Sequence, residues 1–121
     1  QGLCVRTAEQ GSVEVLLNDG QTEARWTSDV GVLEAGRRHH VVVTVDGGPR
    51  VITLVVDERL GDGGAERAFG WGRFSPWFVS ANGAPLARLA TGLQGRLLLL
   101  RLYGRALRTS EAVGNFKAAC R

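Results

Sequence analysis

Two arms of β-branched residues flank a glycine-rich turn between His39 and Leu60, and that span leaves little room for anything but a hairpin. Val41, Val43 and Val45 alternate with Val42, Thr44 and Asp46. Asp46-Gly47-Gly48-Pro49 then turns the chain, and Val51 to Asp57 returns as Val-Ile-Thr-Leu-Val-Val-Asp. Side chains branched at Cβ are stiff at χ1 and pack well on a pleated surface. Successive strand residues point to opposite faces, so Ile52, Leu54 and Val56 share one face and Val51, Thr53 and Val55 the other.

The same reading extends along the chain. Gly2 to Thr7 and Ser12 to Asn18 are short and alternating, with Val13, Val15 and Leu17 on one face. Asn18-Asp19-Gly20 is a hairpin signal, because Asp and Gly accept positive φ. Glu23 to Thr27 follows as a short strand. Gly61 to Ser75 reads as a glycine-rich loop, Trp77 to Ala81 as a short strand, and Asn82-Gly83 as a turn. Gln94 to Tyr103 is expected to be a long strand covered on both sides, since its leucines occupy both faces through Leu100. Thr109 to Ala119 suits a short helix, with Thr109 as its cap and Glu111 in the first turn. Val43, Val45, Leu54, Val56, Leu100 and Leu102 form the expected core. Short strands separated by turn signals predict an all-β, antiparallel two-sheet sandwich with one short C-terminal helix. An open antiparallel sheet carrying one helix is the alternative.

Composition bounds this further. The 121 residues suffice for a single domain over 1–121, and 44% apolar content supports a packed core. The formal charge is +3, and of the fifteen basic residues only Lys117 is lysine. The arginines scatter from Arg6 to Arg121 without forming a stripe, so no nucleic-acid partner is expected. A weak attraction to acidic ligands remains open. No apolar run approaches a membrane span, so no membrane insertion is expected. The chain starts at Gln1 without Met and reads as a mature or excised segment. Cys4 and Cys120 lie near the two ends. Paired, they would close nearly the whole chain into a loop, which the chain-entropy account values at roughly 4–5 kcal/mol. A disulfide is the expectation; two unpaired buried thiols are the alternative.

Three blocks, taken together, resemble the laminin-G-like modules of the concanavalin A-like jelly-roll lectins. His39-His40-Val41-Val42-Val43-Thr44-Val45-Asp46-Gly47-Gly48 is similar to the family's "HHVAVTYDGG" hairpin, and Leu54 to Leu60 to its "LYVDGVL" return arm. Gly95 to Leu107, followed by Arg108-Thr109-Ser110-Glu111, resembles "GxIDDVRIYNRAL" and the "SxxE" after it. The match covers roughly Ser12 to Phe116. Arg38 stands where the family often has Trp, and Leu98 and Leu99 replace its acidic pair. Its usual first strands are not identifiable, which fits a trimmed or minimal version. The resemblance implies a secreted or cell-surface module of the kind found in lectins, adhesion domains and accessory parts of glycosidases, including sialidases. Implied partners are a glycan or glycoconjugate, or a neighbouring catalytic domain of the same chain.

The candidate binding residues lie in Arg67-Ala68-Phe69-Gly70-Trp71-Gly72-Arg73-Phe74-Ser75-Pro76-Trp77. Indoles stack on the C–H faces of sugars, and arginine forks pair with carboxylates. Arg67, Trp71, Arg73 and Trp77 are therefore the expected ligand-binding set. The competing expectation is that these aromatics fold back and plug one end of a sandwich. His39 and His40 are adjacent, so on a regular strand they cannot chelate one metal; one is expected to face the core and the other solvent. Asp19, Asp29, Asp46, Asp57 and Asp62 sit in or beside turns, where Asp is common anyway. Asp62-Gly63-Gly64 is the one segment with a cation-site flavour. Glu14, Glu23, Glu34, Asp46 and Asp57 could supply the carboxylate pair of a glycosidase, but nothing in the sequence opposes two of them across a cleft. No nucleophile elbow or phosphate-binding glycine motif is present. The expectation is a domain without enzymatic activity, metal or cofactor.

Overall fold

The computed structural model describes residues 1–61 and 71–119. It is mostly strand, arranged as two antiparallel sheets with one short C-terminal helix. The first sheet has the order β1 (Gly2–Ala8), β2 (Ser12–Asn18), β3 (Glu23–Thr27). The second has β4 (Val41–Asp46), β5 (Val51–Val56) and β6 (Arg59–Leu60) in sequence, and β7 (Gly72–Arg73) pairs with β5. Helix α1 spans Thr109–Ala119.

Turn chemistry sets the register of the first sheet. The Asn18 side chain accepts the Gly20 N–H at 2.7 Å, and Asp19 Oδ1 accepts those of Gln21 and Thr22 at 2.9 and 2.6 Å. Gly20 itself lies at φ 98°. This closes a turn between paired Asn18 and Glu23. In the second sheet, Val43 pairs with Leu54 and Val45 with Ile52, so the alternation read from the sequence holds across the whole β4–β5 hairpin.

The inward residues of both sheets belong to one buried cluster. Val13, Val15 and Leu17 from β2 and Ala24 and Trp26 from β3 meet Ile52, Leu54 and Val56 from β5, together with Phe74 and Phe78. Ala112 of α1 is buried and α1 packs on β5, whose outward Val55 is also buried. The helix thus covers the opposite face of the second sheet. Its first turn is held by Glu111, whose carboxylate accepts the Arg108 N–H at 2.8 Å and receives Arg105 at 2.6 and 2.9 Å. Arg108 is therefore the residue before the first helical position. The expected cap, Thr109, is already inside the helix, because a glutamate three residues after the cap can reach back to it.

Three expectations need correction. Gln94 to Tyr103 carries no ladder hydrogen bonds; it runs as irregular chain, with Leu100 at 47% exposure and Leu102 at 86%. Leu54 and Val56 are in the core as expected, but Val43 and Val45 are only half-buried beside it. Trp77 to Ala81 is a pinned loop, not a strand. Cys4 is exposed on β1 and is bridged to no cysteine among the described residues; Cys120, its expected disulfide partner, lies outside them. No helix among the described residues is long and apolar enough to cross a membrane.

Candidate functional site

Strand alternation continues through the aromatic segment after β5. Gly72 and Phe74 are buried, while Trp71 and Arg73 are exposed. Gly72 pairs with Ile52, an inward residue, and Arg73 with Val51, an outward one. The inward position at 72 has no room for a side chain: a Cβ there would lie 2.6 Å from the Trp26 ring. Glycine lets the segment press flat against a core indole and so fixes which residues face out.

Beyond β7 the chain is clipped in place by side chains remote in sequence. Arg50, in the left-handed region at φ 59°, accepts the Phe74 N–H through its own carbonyl. Its guanidinium donates to the carbonyls of Ser75 and Phe78 at 3.1 and 3.0 Å. Asp19 Oδ2 accepts the Val79 N–H at 2.9 Å, joining this loop to the β2–β3 turn. The backbone N–H groups of Thr22, Val79 and Gln21 hold the Asp19 carboxyl below its ordinary range. Phe74 and Phe78 meet edge to face at 5.5 Å inside the core.

Trp77 sits between these anchors and is 81% exposed; Trp71 is 43% exposed. The aromatic loop therefore divides its labour. Phe74 and Phe78 plug the core, in the way the competing expectation held for the loop's aromatics, and Trp71 and Trp77 point out; Phe69 lies outside the described residues. Arg73 is exposed alongside the two tryptophans, whereas Arg67 lies outside the described residues. The sequence grouped Phe69, Trp71, Phe74 and Trp77 in one loop and put Phe78 in a short strand. Separating Phe74 from Trp71 required the register of β7, for which the alternation Trp71-Gly72-Arg73-Phe74 was the available signal.

The histidine pair is structural. Glu34 N–H donates to His39 Nε2 at 2.8 Å, which leaves Nδ1–H to donate to Asp57 Oδ2 at 3.0 Å. Asp57 Oδ1 accepts the His40 N–H at 2.9 Å. His40 turns the other way, its ring 6.0 Å from Phe116 of α1. The two rings diverge as expected, but neither is left facing solvent: His39 is 11% exposed and His40 half-buried.

The carboxylates considered for catalysis all have partners. Glu14, buried on the outer face of β2, receives Arg6 at 2.7 Å and Arg25 at 3.6 Å. Glu23 pairs with Arg25 and Glu34 with Arg37, and Asp46 accepts the Gly48 N–H of its own turn. Among the described residues, no three His, Cys, Asp or Glu side chains gather as a metal would require. Asp62-Gly63-Gly64 lies outside those residues. No protein-family model matches the chain, and neither a curated protein nor a solved structure matches it.

Proposed function

We propose that this domain is a non-catalytic carbohydrate-binding or adhesion module of a secreted or cell-surface protein, with Trp71, Arg73 and Trp77 as its sugar-contacting surface. The observation that carries the reading is the exposure of Trp77, 81%, on a loop whose backbone is fastened before it at Ser75 and after it at Phe78 and Val79. Holding an indole in water forgoes its burial, about 1.5–3 kcal/mol for a large apolar side chain. A stacking partner recovers it. Arg73 adds a guanidinium fork, which favours sugars bearing carboxylates. The three sequence blocks that resemble laminin-G-like modules favour the same reading, and in it the domain is a jelly-roll module accessory to a glycosidase or sialidase.

A glycan array including acidic sugars tests this directly. Binding by the wild-type chain, weakened at least roughly threefold in Trp77→Ala as expected for a lost aromatic stack, supports it. An array without signal contradicts it. A second reading, a structural module docked on a neighbouring catalytic domain, is favoured by the exposure of Leu98 and Leu100. It predicts no sugar binding and a surface that needs covering.

A further inference from the structure

The core is incomplete along one side of both sheets. On β1, Leu3 and Val5 point inward, opposite Leu17 and Val15, which are fully buried; yet Leu3 is 54% and Val5 46% exposed. On β4, Val41 is exposed and Val43 and Val45 are only half covered, although their partners Val56, Leu54 and Ile52 are buried. A cleft of about 1910 Å³ opens here, lined by Leu3, by Val41 to Val45 and by Leu97 to Tyr103. The outer edge of β4 has no strand beside it among the described residues. An unpaired edge and an apolar cleft both invite an added strand.

We infer that residues Gln94 to Tyr103 of the same chain act as a closing strap, able to dock as an additional antiparallel strand on the free edge of β4. The segment already lines the cleft it would fill, so closure is intramolecular and favoured by a high effective concentration. Its exposed Leu97, Leu98, Leu99, Leu100 and Leu102 are apolar on both parities, as a strand covered on two sides requires. Its far end is tethered: the Tyr103 hydroxyl accepts the Asn115 amide of α1 at 3.1 Å. The next helical residue, Phe116, packs against His40, the residue before β4 begins.

That tether fixes direction and face. Tyr103 lies at the His40 end, so the strap runs toward the start of β4, antiparallel to it. Tyr103 belongs to the helix-covered side, so Leu97, Leu99 and Arg101 share that side. Leu98, Leu100 and Leu102 face inward, toward Leu3 and Val5. The alternative occupants of the cleft are the strap of a second copy and an apolar small molecule.

Amide hydrogen exchange on the wild-type chain, with monomer mass verified by light scattering, decides the matter. Closure predicts roughly 100-fold or greater slowing at alternate amides of the strap. The β4 amides that do not bond to β5 are slowed along with them. Leu100→Arg should abolish the slowing and Arg101→Leu should keep it. Free-chain exchange rates across Gln94 to Tyr103 in the monomer would overturn the proposal. So would protection confined to a dimeric fraction, or protection that appears only on adding a fatty acid. If Leu100→Arg unfolds the whole chain, the wild-type measurement still decides.

Discussion

Single residues place the outward tryptophans. Gly72 is there because Trp26 occupies the space a side chain would need. Gly72→Ala should therefore cost about 1–3 kcal/mol by overpacking, read as a lowered urea midpoint. An unchanged midpoint would mean that β7 does not press on Trp26. Asp57 stands at φ 57°, a conformation Asp tolerates better than Ala, and its two oxygens serve the His39 ring and the His40 backbone. Asp57→Ala should destabilise by roughly 1–3 kcal/mol in the same assay, and Asp57→Asn, which keeps an acceptor and the turn preference, by less. Equal losses would show that the carboxylate is not the reason. The turn at Asp57 was legible from the sequence. Its grip on the histidines was not, because those bonds join residues 17 and 18 positions apart.

At the scale of elements, the strands from Gly2 to Val56 followed from alternation and turn residues, because period two and a local Asp-Gly turn are written in adjacent positions. The failures are non-local. The leucine run at 97–100 announces a strand but carries no statement of which edge it joins. The loop at 75–79 is held by Arg50 and Asp19, whose hydrogen bonds span 25 to 60 residues. Helix α1 illustrates local chemistry with a measurable titration. Arg105 and the Arg108 N–H together pull the Glu111 carboxyl from 4.5 to about 2. A carboxyl depressed in the folded state contributes stability that is fully present above its unfolded pKa. That contribution fades as pH falls from about 4.5 toward 2. NMR titration of the Glu111 side chain should show a midpoint near 2, and Arg105→Ala should move it upward. A midpoint near 4.5 in the wild-type chain would mean the helix start is not held this way.

For the whole molecule, two sheets share one core, and the aromatic loop closes part of that core with phenylalanine while leaving tryptophan outside. The mostly-strand character, the antiparallel pairing and the C-terminal helix were legible, whereas the expected closed sandwich is not seen among the described residues, and the candidate residues Trp71, Arg73 and Trp77 were named from the sequence. That Phe74 would plug and Trp71 face water emerged only with the pairing of β5 and β7, and the placing of Trp77 and Phe78 only with the hydrogen bonds from Arg50 and Asp19. Adjacent residues 77 and 78 now make opposite commitments, and comparing them tests the account most directly. Phe78→Ala should lose about 3–5 kcal/mol of stability, as a buried aromatic does. Trp77→Ala should stay within about 0.5 kcal/mol of the wild type, as an exposed position does. Trp77→Ala should also lose affinity for the array's best glycan, while folded Phe78→Ala, corrected for its unfolded fraction, keeps it. A Trp77→Ala protein that melts early and binds as before would contradict the account.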